Sequence, residues 1–207
     1  MCFSAPASFI AGGVLGAVGV ATLSKAKKKS QLPFASIPLL FGIQQIIEGV
    51  VWLSVASSTV VTTVATYAYL ALSHVFWPIF IPLSILILER DRERRCVLKV
   101  LVFIGLLVGG YLLYFIINNT VTPGIVNQSI AYTGTEVPYK FFALALYLIS
   151  TCGSAFVSSH KLVRIMGALA FALFFVAGWF YHATYVSVWC FFAAVVSLLV
   201  YWQIARK

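Results

Sequence analysis

The stretch PFASIPLLFGIQQIIEGVVWLSV, Pro33 to Val55, decides the fold class of this chain. Its only strongly polar side chains are Gln44, Gln45 and Glu48. The core of a bilayer is about 30 Å thick and takes roughly 20 helical residues, a length that this stretch meets. An apolar run of this length predicts a membrane-spanning helix.

The rest of the chain repeats this pattern. Its 207 residues are 62% hydrophobic and 9% charged, with a mean hydropathy of +1.02, which is too apolar for a soluble domain of this size. We therefore expect an all-α integral membrane bundle of seven transmembrane helices, forming a single domain over residues 1–207. The predicted helices cover residues 6–23, 33–55, 62–88, 96–117, 138–158, 164–183 and 185–203.

The positive charge predicts the orientation of the bundle. Lys and Arg concentrate in cytoplasmic connections, and every basic residue except Lys140 lies on alternate connections of the predicted helices. These residues are Lys25, Lys27, Lys28, Lys29, Arg90, Arg92, Arg94, Arg95, Lys99, Lys161, Arg164, Arg206 and Lys207. The N-terminus is therefore expected outside and the C-terminus in the cytoplasm. Basic clusters placed in this way favour contacts with anionic lipid over nucleic acid, which we do not expect as a partner.

Glu48 is the acidic residue expected inside the membrane. A carboxylate there costs about 2.5 kcal/mol or more, so it normally faces the interior of a bundle, where it pairs or takes up a proton, and it marks a functional site. Residues three and four positions apart share one face of a helix. That face of the helix therefore contains Gln44 or Gln45 one turn before Glu48, and Trp52 one turn after it.

The third predicted helix carries a second polar group in SHVFWPIFIP, Ser73 to Pro82. The helical rise places His74 at about the depth of Glu48, roughly 10 Å below the outer surface, so we expect the two side chains to pair. Pro78 has no N–H for the carbonyl four residues earlier, which predicts a kink and a free His74 carbonyl. Trp77 lies deeper than the tryptophans of the interfacial belts and is expected in a pocket.

Further metal-ligand types are predicted at the same end of the bundle. Cys2 precedes the first helix and His182 ends the sixth. Together with Glu48 and His74 they would suit zinc or copper, since imidazole binds both and thiolate favours Cu(I). Cys190 is a further candidate in the seventh helix.

The opening MCFSAPASF, with GIQQIIEGVVW and HVFWPIFIP further along, resembles an uncharacterised family of small bacterial multi-pass membrane proteins with an MCFSA-type N-terminus. The resemblance covers most of the chain. It implies a bacterial inner membrane and makes Cys2 part of the family signature, but it implies no activity.

The leading functional hypothesis is an outward-facing polar pocket that binds a small ligand or a metal ion around Glu48 and His74. A small proton-coupled transporter is the alternative, because a carboxylate and an imidazole can exchange protons. The second alternative is a metal-dependent intramembrane enzyme, with Glu48 as general base and with His74, His182 and Cys2 as metal ligands. Glu48 could also be a protonated group that holds helices together. The apolar inner halves of the second, third and seventh helices count against transport.

Overall fold

In the computed structural model, which describes residues 4–57, 59–134, 137–181 and 183–206, the chain is mostly helical. Seven helices of the described part are long and apolar enough to cross a membrane. They are α1 (Ala5–Lys25), α2 (Lys29–Ser54), α3 (Val60–Leu88), α4 (Arg92–Asn118), α5 (Lys140–Val157), α6 (Lys161–Phe180) and α7 (Tyr185–Ala205). The prediction of an integral, multi-pass membrane bundle is confirmed.

Local sequence explains where several helices begin. The Ser4 side chain accepts a hydrogen bond from the Ala7 N–H before α1, and Asp91 accepts one from the Arg94 N–H at 2.9 Å before α4. Both residue types are favoured helix caps. Helix α2 opens with a 3₁₀ turn, Lys29–Gln31, and a break at Ser36 precedes its long segment Ile37–Ser54.

Consecutive helices are neighbours in space, and α7 returns to contact both α1 and α2, which closes the bundle. Two close approaches depend on glycine. A Cβ on Gly19 of α1 would lie 2.5 Å from the Leu39 nitrogen of α2, and a Cβ on Gly105 of α4 would overlap the Pro78 carbonyl oxygen of α3. Small residues allow helix backbones to approach in this way within membranes.

A β-hairpin follows α4, a feature that the sequence did not predict. Strands β1 (Thr122–Val126) and β2 (Ser129–Thr133) pair antiparallel, with Thr122 opposite Thr133. The two turn residues, Asn127 and Gln128, have φ of 47° and 55°, as the type I′ turn of a tight hairpin requires. The buried Ile130 packs with Val51 of α2. We call this side of the bundle the hairpin end and the opposite side the basic end.

Glu89 joins two connections at the basic end. Its carboxylate accepts hydrogen bonds from the Ser159 N–H at 2.7 Å and the Ser159 hydroxyl at 2.8 Å, and also from the N–H groups of Arg90 and Asp91. Burial raises the pKa of the Glu89 carboxyl, but these four hydrogen bonds outweigh burial and lower the pKa to about 2. The α3–α4 connection is thereby tied to the α5–α6 connection.

Candidate functional site

Glu48 lies completely buried in the hairpin-end half of α2. The Ser187 hydroxyl of α7 donates a hydrogen bond to its carboxylate at 2.5 Å, and the Gln45 amide, one turn earlier on α2, donates another at 3.3 Å. A buried carboxylate is stable only when such donors replace water. The residue therefore joins α2 to α7.

The neighbouring glutamine joins α2 to α3. The indole N–H of Trp77 donates to the Gln44 side-chain oxygen at 2.5 Å, and the Trp77 ring stacks on Phe41, with 3.9 Å between ring centroids. The Cys190 thiol of α7 also lies against Gln44 and Tyr69. A continuous polar cluster thus connects α2, α3 and α7 in an otherwise apolar bundle.

Trp52 lies one turn beyond Glu48 on α2, next to the hairpin. Its ring packs with Val51 and the hairpin residue Ile130. Its indole nitrogen is buried and has no hydrogen-bond partner in the part of the chain that the structure describes. Trp52 thus contributes to the packing of the hairpin against α2.

The turn before Pro78 is a π-helix, Ala71–Phe76. In this segment the Trp77 N–H bonds to the Leu72 carbonyl, five residues earlier, and Pro78 has no N–H to donate. The Ser73 carbonyl instead accepts a hydrogen bond from the Tyr147 hydroxyl of α5 at 2.6 Å. The sequence predicted a free carbonyl at His74, whereas the carbonyl that receives this side-chain donor is one residue earlier. Such π-helical turns are common at functional sites.

His74 lies within this π-helical turn. Its Nδ1 atom is 2.7 Å from the Ser73 hydroxyl oxygen, and its side chain lines a cavity at the hairpin end. Among the described residues, Glu48 is hydrogen-bonded to Gln45 and Ser187, and His74 to Ser73 and the Leu70 backbone, and a direct bond between Glu48 and His74 is not among these. The Cys190 thiol interacts with Glu48 and also lines the cavity that contains His74, and the predicted pairing of Glu48 with His74 stays a prediction.

The hairpin-end cavity has a volume of about 710 Å³. Its described lining mixes polar and aromatic groups, and Lys140 is the one charged side chain in that part of the lining. The polar and aromatic lining residues are Ser73, His74, Tyr132, Tyr139, Lys140, Phe141, Tyr147, Thr184, Tyr185, Trp189 and Cys190. This volume falls within the roughly 300–1,000 Å³ of known small-molecule sites.

A second, smaller cavity lies deeper in the bundle. It measures about 100 Å³, and Trp77, Phe41 and Ile85 contribute to its largely apolar lining. Three residues line both cavities: Tyr147, Trp189 and Cys190. These three residues, which we call the dividing layer, lie where a polar space near the hairpin adjoins an apolar one, and the apolar one extends from the middle of the bundle toward the basic end, where Phe34 and Ile85 line it.

The residues that the sequence singled out lie in different parts of the structure. His74 lines the hairpin-end cavity and Trp77 the apolar one, while Gln44, Gln45 and Glu48 are buried in the polar cluster. Sequence reasoning missed Ser187, Tyr147 and Lys140. Lys140 carried one signal, since it is the only basic residue away from the basic connections, but Ser187 and Tyr147 carried none that distinguishes them from other helical residues.

The predicted metal site stays a prediction. Two of its four residues, Cys2 and His182, lie outside the described residues, so their positions relative to Glu48 and His74 are not defined. Among the residues that the structure does describe, no three His, Cys, Asp or Glu side chains come together.

The fold and the cavities define a class: a multi-pass membrane protein with an internal, partly polar cavity. The chain belongs to a family of unknown function, DUF6629, whose model matches residues 1–207. No curated protein and no solved structure matches the chain.

Proposed function

We propose that this protein binds a small ligand in the hairpin-end cavity. The observation that carries the proposal is the cavity itself, about 710 Å³ in volume and lined by His74, Lys140 and Tyr147 among aromatic side chains. Ligand sites are typically concave and mostly apolar, with a few polar groups that fix orientation. In this proposal Glu48 supports the site, because its hydrogen bond to Ser187 holds α7, which supplies part of the lining.

The orientation and the location of the site complete the proposal. Because the basic residues gather at one end of the bundle, the hairpin end faces outward and the C-terminus lies in the cytoplasm. The resemblance of the N-terminal signature supports a bacterial inner membrane. Anionic lipid headgroups are the expected contacts of the basic connections.

Transport and metal-dependent catalysis receive less support. The described lining of the apolar cavity has few polar groups, among them Thr151 and Ser197, so a polar solute has no evident polar path beyond the dividing layer. The described residues also do not gather a metal-ligand set.

Native mass spectrometry of the protein released from its membranes tests ligand binding directly. Leu144 lines the cavity, so Leu144→Trp should fill part of it, whereas Leu169 is 41% exposed on α6 and Leu169→Trp provides the matched control. We expect a stoichiometric bound mass in the wild type and in Leu169→Trp, and its loss in Leu144→Trp. Equal occupancy in the two variants, or no bound mass in the wild type, would reject the proposal.

A separate measurement tests the metal alternative. Elemental analysis of the wild type and of Glu48→Gln, His74→Ala and Cys2→Ser should show no stoichiometric zinc or copper if the ligand is organic. A stoichiometric metal that two of these variants lose would replace the proposed ligand with an ion.

A further inference from the structure

Exposed aromatic side chains line the hairpin-end cavity. Tyr139 and Phe141 line the cavity and are 83% and 77% exposed. Trp179 and Phe180, at the hairpin end of α6, are also strongly exposed. Exposed aromatic side chains at helix ends form the belt at a membrane interface. Aromatic side chains in this position favour entry by a molecule dissolved in the bilayer.

The charge at this entrance has one sign among the described lining residues. Lys140 stands at the start of α5, between the two exposed aromatic residues, and its ammonium lies 5.4 Å from the centroid of the Phe141 ring. His74 lies on the α3 side of the same cavity. An ammonium group and an imidazole together suit an anionic oxygen group, to which both can donate hydrogen bonds.

The space beyond the dividing layer suits an apolar group. Trp77 and Phe41 line it together with aliphatic side chains. Its volume of about 100 Å³ is comparable to the engineered apolar cavity of about 150 Å³ that stays dry and binds benzene. The end of an alkyl chain is of this size, whereas a polar group there would lose its hydrogen bonds to water.

These three features follow one another from the hairpin end inward: exposed aromatic side chains, a basic polar cavity, and an apolar cavity that shares the dividing layer with it. We propose that the ligand is an acidic amphiphile taken from the bilayer, with its anionic head beside Lys140 and His74 and its alkyl end at Trp77 and Trp189. This inference rests on the proposed function and names the chemical class of its ligand.

Tryptophan fluorescence tests this arrangement, because bromine quenches an indole that it contacts. Trp77 and Trp189 line the apolar cavity, so the variant Trp52→Phe, Trp179→Phe, Trp202→Phe leaves only the two reporters. The probes are dodecanoate, dodecanol and dodecylamine, each brominated at the terminal carbon and added to the protein in phosphatidylcholine vesicles. Dodecanoate brominated next to the carboxylate is the positional control.

We expect the terminally brominated acid to quench at roughly tenfold lower concentration than the alcohol, the ratio that one hydrogen bond to a charged group supports. Excess unbrominated dodecanoate should restore the fluorescence, and the amine and the positional control should quench weakly. Lys140→Gln should abolish the preference for the acid. Lys161→Gln, an exposed lysine on α6 at the basic end, should retain it.

Competition identifies the source of the anionic head. If the site accepts acidic lipids in general, lysophosphatidic acid should reverse the quenching as well as dodecanoate does and lysophosphatidylcholine should not. Reversal by dodecanoate alone restricts the class to free fatty acids. Either result supports an acidic amphiphile.

Two results would overturn the inference. Equal quenching by acid, alcohol and amine would show an apolar pocket without charge selection. If native mass spectrometry still showed a bound mass that Leu144→Trp removes, the proposed function would stand and only the acidic class of its ligand would be rejected. Quenching that no competitor reverses would show partition into lipid instead of binding at the cavity.

Discussion

At the scale of single residues, the main finding is that the membrane-embedded carboxylate is part of a hydrogen-bonded cluster. Glu48 accepts from Ser187 and Gln45, while Gln44 accepts from Trp77. Polar bonds between helices contribute about 0.6 kcal/mol on average in a well-studied membrane bundle. Losing an acceptor costs more, because each buried donor is then unsatisfied.

The high cost of leaving a buried donor without an acceptor gives a prediction for Glu48. Glu48→Ala should lower the free energy of unfolding by roughly 2 to 4 kcal/mol, since at least the donors Ser187 and Gln45 lose their acceptor and a cavity remains. Glu48→Gln should cost less, because the amide oxygen still accepts one hydrogen bond. Reversible unfolding in mixed micelles measures both variants. The exposed Glu93 supplies the control Glu93→Ala, which should change little.

A double-mutant cycle separates the Glu48–Ser187 contact from general damage to the core. If the contact stabilises the bundle, the losses in Glu48→Ala and Ser187→Ala should sum to more than the loss in the double variant. Additive losses would show that the 2.5 Å contact is not a source of stability.

The sequence allowed part of this cluster to be predicted, for a physical reason. Residues on one helix have fixed spacing, so Gln45 and Glu48 could be placed on a shared face, and the proline position predicted a disturbed turn at His74. Contacts between helices depend on rotation about each helix axis, which one sequence does not fix. The Ser187 partner of Glu48 and the Tyr147 donor to Ser73 were missed for that reason.

At the scale of elements, one π-helical turn contributes Ser73 and His74 to the hairpin-end cavity and a second contributes Thr151 and Cys152 to the apolar cavity. The turn Ala71–Phe76 in α3 is next to Pro78, and the turn Ile149–Gly153 in α5 directly follows the helical segment that carries Tyr147. The Tyr147 hydroxyl joins the two helices through the Ser73 carbonyl. Proline marked the first turn in the sequence, whereas no proline or glycine precedes the second within α5, so it could not be predicted.

The approach of α4 to α3 at Pro78 gives the second prediction. Gly105→Ala places a Cβ against the Pro78 carbonyl oxygen, and we expect it to destabilise the protein by about 1 to 3 kcal/mol, the usual cost of overpacking. Gly110 on the same helix has open space around it, so Gly110→Ala should be neutral or slightly stabilising. Thermal unfolding of the two variants in the same detergent measures the difference. Matching stabilities would show that α3 and α4 separate without cost.

The hairpin shows what pattern reasoning missed at this scale. The predicted helices 96–117 and 138–158 left the connection between them without a regular element, whereas the structure forms β1 and β2 there, of five residues each. Their position on the bundle depends on the contact between Ile130 of β2 and Val51 of α2. That contact joins residues distant in the sequence, so the local pattern does not predict it.

At the scale of the whole molecule, the two ends of the bundle differ in construction. The hairpin end contains the large cavity, whereas at the basic end short connections are tied together. Glu89 binds Ser159, and the Arg94 guanidinium donates to the Val157 carbonyl at 2.7 Å. Hydrogen bonds therefore hold the connections of the basic end together, whereas the hairpin end contains the space for the proposed ligand.

The lowered pKa of Glu89 predicts how this junction depends on pH. A group whose pKa is lowered by folding stabilises the folded state above its ordinary pKa of 4.5, and that contribution is lost as the pH falls to about 2. The difference in unfolding free energy between wild type and Glu89→Gln should therefore be largest near neutral pH and shrink over this range. Glu93→Gln serves as the control. A difference that grows on acidification would contradict the hydrogen-bonded carboxylate.

The orientation of the whole bundle gives the last prediction, because the two ends carry distinguishable labelling sites. Cys96 is exposed near the start of α4 at the basic end, and Asn127 is exposed in the turn of the hairpin. In a Cys2→Ser background, a membrane-impermeant maleimide added to intact spheroplasts should spare Cys96. After permeabilisation Cys96 should react, whereas the described cysteines Cys152 and Cys190 are buried. The variant Cys2→Ser, Cys96→Ser, Asn127→Cys should react without permeabilisation. The opposite pattern would place the basic end outside, and the hairpin-end cavity would then open toward the cytoplasm.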